Sequence, residues 1–286
     1  MNAYLLTQHI DEINNQECID YLERGKILFF PEYFFSDVPE LFLSESILDG
    51  SRKNISYDSQ KKTLSAFKKN KQGLEEELRK MMQAYADFSF QLLVKTLPSY
   101  STHLCWGRTS FRPAQIKGRT TSKRKDDTRL HVDSFAASPV NGLRILRVFC
   151  NVNPNNEPRV WNLGEPFPQV LERFACKINT YNKLKSHALK WIRATKTFRT
   201  PYDHYMLELH DKMKLDDEYQ SNVQKTQVDF PSQSTWIVFT DHVSHAALSG
   251  QHLLEQTSYL PVEKMAFPEH SPLKQWQKIK PEFHVF

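Results

Sequence analysis

Two short stretches of the chain carry residue types that could bind a metal ion. The first contains His131 and Asp133, two positions apart, and the second, far downstream, contains His245. On a β-strand, residues i and i+2 face the same side, so His131 and Asp133 would present an imidazole and a carboxylate together. A second strand that supplies His245 would complete a two-histidine, one-carboxylate set, which leaves open positions on iron(II) for a 2-oxo acid and O2. The spacing therefore predicts an iron(II)-dependent oxygenase centre.

The sequence around these residues favours strands that could position them. A strand over residues 143–152 follows the turn at 139–142, and the late histidine follows the β-prone run 235–239. His242 is a rival to His245, but the two are three apart and would face opposite sides of a strand. We choose His245 because it directly precedes the apolar run 246–248.

The distal carboxylate of 2-oxoglutarate requires a basic partner, which in many such enzymes follows the second histidine closely. The corresponding stretch, residues 250–256, contains no Arg or Lys. The strand at 143–149 offers Arg144 and Arg147, which are an odd number of positions apart and therefore face opposite sides. We favour Arg147 for this role and keep Arg144 and His252 as rivals.

A dense cationic segment, residues 117–127, leads directly into the predicted metal strand. Such a run is usually a solvated loop. Next to a metal site it could instead receive an anionic substrate, because guanidinium and ammonium groups match carboxylate and phosphate oxygens.

The length and composition of the chain suit one large globular domain with a sizeable core, or one domain with helical additions. It has 286 residues, of which 40% are hydrophobic, and 38 Lys and Arg against 33 Asp and Glu give a formal charge of +5. The mild basic bias favours an anionic partner, but no nucleic-acid-binding motif is present. The four cysteines show no Cys-x-x-Cys spacing, so we expect reduced core residues. We find no signal peptide and no apolar run near the roughly 18 residues that span a bilayer, and we expect a cytoplasmic protein that meets a membrane only peripherally.

The order of the elements predicts an α+β fold with a double-stranded β-helix (jelly-roll, cupin-like) core. We expect one catalytic domain, 1–286, with a mainly helical N-terminal part at 1–98 and a β-core at 99–167 and 222–260. A helical insertion at 168–221 interrupts the core, and 261–286 form a C-terminal tail. Helical periodicity predicts buried positions in the insertion, among them Leu184, Trp191 and Ile192. Within it, His204 and His210 are six apart, which does not suit a metal pair on one helix, so we expect structural or substrate contacts from both.

Five segments of the sequence are similar to one known family. They are Ser110–Pro113, Asp126–Phe135, Gly142–Phe149, Arg159–Phe167 and Ser244–Gln251. In these segments the chain resembles the iron(II)/2-oxoglutarate-dependent hydroxylases that modify the third carbon of 3-deoxy-D-manno-oct-2-ulosonic acid (Kdo) in lipopolysaccharide. The resemblance extends over roughly residues 100 to 260.

The resemblance implies iron(II), 2-oxoglutarate and O2 as cofactor and co-substrates, and Kdo-lipid A as the substrate, at the cytoplasmic face of the inner membrane. Kdo carries a carboxylate and lipid A carries phosphates, which would give a cationic set a substrate-binding role. That set is Arg108, Arg112, Arg119, Arg124, Lys125 and Arg159.

Two other functions are compatible with the same residues. One is a 2-oxoglutarate hydroxylase for another anionic substrate, such as a small metabolite or a modified peptide. The other is a non-enzymatic jelly-roll module that binds an acidic sugar. The sequence does not indicate an oligomeric state.

Overall fold

The chain forms two β-sheets that are surrounded by helices. This computed structural model describes residues 3–50, 52–68 and 73–280. The strands are β1 (Leu5–Thr7), β2 (Ile27–Phe30), β3 (Ile55–Asp58), β4 (Thr63–Ser65), β5 (Cys105–Arg112), β6 (Arg144–Asn151), β7 (Arg159–Leu163), β8 (Thr226–Phe230), β9 (Ser234–Phe239), β10 (His245–Ser249) and β11 (Leu253–Leu260). The helices are α1 (Asn15–Glu23), α2 (Leu74–Thr96), α3 (Pro98–Ser101), α4 (Phe167–Phe174), α5 (Lys183–Trp191), α6 (Pro201–Leu215), α7 (Asp217–Asn222) and α8 (Pro272–Ile279).

The larger sheet has the strand order β1-β2-β9-β6-β11-β5-β3-β4, and the smaller sheet has the order β10-β7-β8. Side chains of both sheets share one hydrophobic cluster, in which Phe149 and Trp236 of the larger sheet meet Trp161 and Phe230 of the smaller. The sheets therefore pack face to face. The predicted α+β jelly-roll core with added helices is confirmed.

The core strands lie close to where alternation and β-propensity predict them. β-propensity predicts strands at 143–152, 235–240 and 253–260, and these correspond to β6, β9 and β11. The strand predicted for His131 and Asp133 is not formed: His131 makes only an isolated bridge to His245, and Asp133 lies beyond it in chain without regular secondary structure.

The N-terminal part contributes more than the expected helices. It supplies β1 to β4, which form both edges of the larger sheet. Helical periodicity predicts one long helix from Leu64, but α2 begins only at Leu74. This helix is fixed to the sheet by Tyr85, whose hydroxyl donates to the Val148 carbonyl at 2.9 Å. The sequence also predicts a short helix over 39–50, where the structure has two single 3₁₀ turns. The tail from residue 261 contains α8, and its last six residues lie outside the described part.

Helices α4 to α7 lie between β7 and β8. α6 begins with a reciprocal capping box, in which Thr200 and Asp203 each bond the other's backbone N–H. Three of the expected buried positions are wrong: Leu184, Trp191 and Ile192 are 81%, 87% and 63% exposed. Among the described residues, no helix has the length and apolar character needed to cross a bilayer.

The cysteines only partly match the expectation of reduced core residues. All four are free thiols, but Cys18 and Cys150 are buried whereas Cys105 and Cys176 are exposed. Burial raises the pKa of both Cys18 and Cys150 to about 11, so these two thiols are poor nucleophiles at neutral pH.

A buried ion pair joins β6 to the chain just after β9. The Arg144 guanidinium is fully buried, donates to Asp241 Oδ2 at 2.8 Å, and lies 3.9 Å from the centroid of the Phe239 ring. Removal of one member of such a pair leaves the other charge buried without compensation.

We expect Arg144→Met to lower the free energy of unfolding by about 3–5 kcal/mol, because Asp241 loses its counter-ion. Urea denaturation followed by circular dichroism measures this loss. The control is Arg173→Met, which breaks a surface pair with Glu165 and should cost less than about 1 kcal/mol. Equal effects of the two substitutions would contradict the prediction.

Candidate metal centre

His131 and His245 are placed side by side by a reciprocal backbone pair. The His131 N–H donates to the His245 carbonyl at 3.0 Å, and the His245 N–H donates back at 2.9 Å. Each ring Nδ1 lies 2.8 Å from the carbonyl two residues earlier, that of Arg129 for His131 and that of Val243 for His245. Since a carbonyl only accepts, both Nδ1 atoms carry the proton and both Nε2 atoms are free to bind a metal.

Asp133 completes the group. Its N–H donates to the Thr240 carbonyl at 2.8 Å, and its Oδ1 lies 3.8 Å from His131 Nε2. Burial alone would raise the pKa of Asp133, but the positive charge of Arg147 opposes it, and that pKa lies well below its usual range. The carboxylate is therefore ionised, and its buried Oδ2 has no hydrogen bond.

Together the three side chains fit a divalent ion of the iron type. One ligand atom from each of His131, Asp133 and His245 lies within 4.8 Å of the other two, and this is the one such group found among the described residues. Two neutral imidazoles and one carboxylate on one side of an ion form the facial set that leaves its other positions open. The predicted ligands are brought together, whereas His242 lies apart, with its Nε2 3.3 Å from Gln275 Nε2.

The close approach of β7 to the chain before β10 helps to place His245. The Gly164 N–H donates to the Ser244 carbonyl at 2.9 Å. A Cβ at Gly164 would lie 2.6 Å from Ser244 Oγ and 3.0 Å from a Leu130 methyl carbon. Both neighbours directly precede a metal-site histidine, so glycine is required for the observed spacing.

The metal group lies in a cavity of about 670 Å³ with a strongly cationic wall. Among the described residues its lining includes nine Lys or Arg side chains: Arg52, Lys53, Arg112, Arg119, Arg124, Lys125, Arg147, Arg159 and Lys214. Only three acidic side chains line it, namely Asp127, Asp133 and Glu255. The cavity therefore favours an anionic ligand.

Most of the Lys and Arg side chains in the cavity wall form salt bridges, but Arg159 forms none within the described residues. Arg147 joins Asp133 and Glu255, at 3.3 and 3.2 Å, and Arg112 pairs with Asp127 at 3.2 Å. Arg159 is 2% exposed and donates to the Gly250 carbonyl, but its Nε has no partner and it forms no salt bridge within the described chain. Burial, with Arg112 nearby, lowers the pKa of Arg159 to about 9. Its guanidinium is therefore buried without a direct salt bridge among the described residues, although the carboxylates of Asp127 and Glu255 act on it at longer range.

Two of the residues considered for 2-oxoglutarate lie elsewhere. Arg144 is fully buried against Asp241, on the opposite side of β6 from Arg147. His252 Nε2 lies 3.1 Å from Gln251 Nε2, and His252 does not line the cavity. Neither can reach a ligand at the metal without rearrangement. Parity along the strand separates Arg144 from Arg147 but does not show which one faces inward.

The predicted substrate residues divide in a similar way. Arg112, Arg119, Arg124, Lys125 and Arg159 line the cavity. Arg108 does not, since it is 42% exposed and lies 3.4 Å from Asp58.

Lys53 and Lys214 had not been predicted as cavity residues, whereas His210 had been expected to make structural or substrate contacts. Lys53 pairs with Asp127, and from α6 Lys214 and His210 reach the wall. Lys214 is 2% exposed, and burial lowers its pKa. The His210 ring meets the His131 ring edge-on, with centroids 5.3 Å apart. The four-residue spacing of His210 and Lys214 was a usable signal, because it places both on one face of a helix.

Comparison with known proteins gives one consistent result. The model of the family described as 3-deoxy-D-manno-oct-2-ulosonic acid (Kdo) hydroxylase matches residues 6–282. The chain is similar to the crystal structure of the Kdo hydroxylase KdoO with cobalt(II), at 44% identity and a TM-score of 0.92, over 96% of this chain and 95% of that one. KdoO with alphaketoglutarate and Fe(III) matches over the same shares, at 43% identity and a TM-score of 0.91. No curated protein matches by sequence.

Proposed function

Because the chain belongs to the Kdo hydroxylase family and is a non-haem iron(II)/2-oxoglutarate-dependent dioxygenase, we propose that it hydroxylates the third carbon of Kdo in Kdo-lipid A. The proposed site of action is the cytoplasmic face of the inner membrane. The observation that carries the proposal is a three-ligand metal group in a cationic cavity. Among the described residues, nine basic and three acidic side chains line this cavity, an excess of six basic side chains (9 − 3). A non-enzymatic binding module is excluded by the family.

His131, Asp133 and His245 would hold the iron through two Nε2 atoms and one carboxylate oxygen. Iron(II), when bound, would couple the oxidative decarboxylation of 2-oxoglutarate by O2, which gives succinate and CO2, to replacement of a substrate C–H bond by C–OH. The backbone carbonyls of Arg129 and Val243 fix the imidazole orientations. Trp161 stacks on His245, with ring centroids 4.9 Å apart, and covers one side of the metal group with an apolar surface.

We assign the distal carboxylate of 2-oxoglutarate to Arg159. Its guanidinium is buried, lines the metal cavity and forms no salt bridge within the described residues, so a bound carboxylate would give it a direct ionic partner. Arg147, which the sequence favoured, is already neutralised by Asp133 and Glu255. Its proposed task is to orient Asp133.

The outer wall of the cavity suits the anionic sugar. Arg52, Arg124 and Lys125 come from two loops, and Lys214 from α6 reaches the same wall. A carboxylate or phosphate can accept hydrogen bonds from several of these donors at once. The cationic wall thus supports an anionic glycolipid over a neutral sugar.

The test is a reaction in two steps with purified protein. Iron(II) and 2-oxoglutarate are added without oxygen, and the weak visible metal-to-ligand band is recorded. Oxygen and Kdo-lipid A are then added, and the molecular mass of the lipid is measured by mass spectrometry. We expect the band and a product heavier by one oxygen atom on the sugar, and no product in a sample from which iron is omitted.

The outcomes separate the alternatives. A band with 2-oxoglutarate turnover but no Kdo product would retain the dioxygenase and reject the substrate in favour of another anionic compound. A hydroxyl group at a different carbon, located by fragmentation, would reject only the position.

A further inference from the structure

Helix α5 presents an unusually exposed apolar surface. Leu184, Trp191 and Ile192 are 81%, 87% and 63% exposed, whereas the next most exposed large apolar side chain in the described part is Ile279, at 47%. Leu184 and Trp191 are seven residues apart and therefore share one face of the helix, two turns apart. An apolar stripe of this kind on the surface indicates an interaction site.

The rest of the structure holds this stripe outward. Ser186, on the other side of α5, is 2% exposed, and its hydroxyl donates to the Arg199 carbonyl at 2.6 Å and accepts from the Arg199 N–H. Helix α5 ends at Trp191, and Arg193, whose φ of 58° is left-handed, turns the chain directly after Ile192. Rotation of α5 to bury the stripe would break these contacts.

The surroundings of the stripe carry charge of a single sign. Residues 183–199 include six Lys or Arg and no Asp or Glu. Of these, Lys183, Lys190, Arg193 and Lys196 are exposed. Apolar side chains flanked by cations match the lipid and headgroup layers of an anionic bilayer, and tryptophan is enriched at that interface. A second copy of the chain would bring like charges together on the same surface.

The stripe is also linked to the metal cavity. The Lys196 N–H donates to the Ala137 carbonyl at 3.0 Å, and the Arg199 guanidinium donates to the Ala136 carbonyl at 2.9 Å. These carbonyls directly follow Ser134 and Phe135, which line the cavity. The chain that carries α5 is thus hydrogen-bonded to the cavity rim.

From these features we infer that α5 is a membrane-docking element that inserts Leu184, Trp191 and Ile192 into the interface of an anionic phospholipid bilayer. The flanking Lys and Arg side chains bind the headgroups, and the contact with the 136–137 backbone keeps the cavity rim beside the docked helix. The inference rests on the proposed function in one respect: a membrane-resident glycolipid is what docking would bring to the cavity. It assigns to the helical insertion a role separate from catalysis.

The test is co-sedimentation of the full protein with vesicles of phosphatidylcholine and phosphatidylglycerol in equal parts, or of phosphatidylcholine alone. One variant combines Leu184→Ser with Trp191→Ser, and another combines Lys190→Glu with Arg193→Glu. We expect each to reduce binding to the anionic vesicles by roughly tenfold or more. Neutral vesicles should bind the wild type less than anionic vesicles do.

The matched control carries Val94→Ser and Lys80→Glu on α2, which change one exposed apolar and one exposed basic side chain away from the insertion. It should bind vesicles as the wild type does. Thermal unfolding of all variants should be unchanged, because the substituted side chains are exposed.

Activity separates this inference from the proposed function. On a water-soluble Kdo glycoside the α5 variants should retain wild-type turnover, and on Kdo-lipid A in vesicles they should lose it in parallel with binding. Wild-type protein that stays in the supernatant, or α5 variants that bind as well as wild type, would overturn the inference, as would a dimer that the stripe substitutions dissociate. Absence of Kdo hydroxylation with normal vesicle binding would reject the proposed function and leave the docking surface in place.

Discussion

We expect turnover to fall to background when Asp133, His131 or His245 is replaced by alanine, while the protein remains folded. Removal of a residue that hydrogen-bonds to a metal ligand typically lowers metal affinity or activity by about 10- to 100-fold. Removal of a ligand itself should therefore lower turnover by more than that. The fold should persist, because Arg147 keeps Glu255 as a partner when Asp133 is removed, and the His131–His245 backbone pair does not involve their side chains. Product mass, 2-oxoglutarate consumption and anaerobic iron titration measure the effect, and circular dichroism verifies the fold.

The control for these variants is His204→Ala. His204 lies in the helical insertion, where its Nε2 contacts the Asn179 carbonyl at 2.8 Å, and it does not line the cavity. We expect normal iron binding and turnover from this variant. Activity retained by all three ligand variants would reject the metal assignment.

Arg159→Met should raise the KM for 2-oxoglutarate by between about 30-fold and a few thousand-fold, the effect of about 2–5 kcal/mol that follows removal of one partner from a buried charge pair. The apoprotein should lose only about 1 kcal/mol of stability, because Arg159 has no salt bridge to break within the described chain and gives up only its hydrogen bond to the Gly250 carbonyl. Steady-state kinetics with varied 2-oxoglutarate and urea denaturation without ligands measure the two effects.

For Arg144→Met, which replaces a second buried arginine, we expect the opposite pair of effects. It should lower stability, because Asp241 loses its partner, and leave the KM for 2-oxoglutarate unchanged in the folded fraction. An unchanged KM in Arg159→Met would transfer the distal carboxylate to another cation, with Arg112 the next candidate, since it also lines the cavity.

The sequence was informative where local geometry determines the outcome. His131 and Asp133 lie together because they are two residues apart in extended chain, and His245 joins them at the end of a β-prone region. The core strands β6, β9 and β11 followed from β-branched and aromatic runs. These features depend on a few neighbouring residues.

The rest depends on residues that meet only in three dimensions. Lys53 and Lys214 share Asp127 as a partner although they lie 161 positions apart (214 − 53). Helical periodicity shows that Leu184 and Trp191 share a face, but not whether another element covers it. Whether another element packs over α5 depends on the tertiary fold, so the burial of these side chains was predicted wrongly.

The position of β2 has a consequence for the way the chain reaches this structure. β2 pairs with β9, and Leu28 lies opposite Ile237, 209 positions later (237 − 28). During synthesis β2 therefore cannot pair with β9 until most of the polypeptide has left the ribosome. A high contact order of this kind slows folding and exposes unpaired strand edges meanwhile. We expect fragments that end before β9 to aggregate, and chaperone binding to increase while β9 is still inside the ribosome.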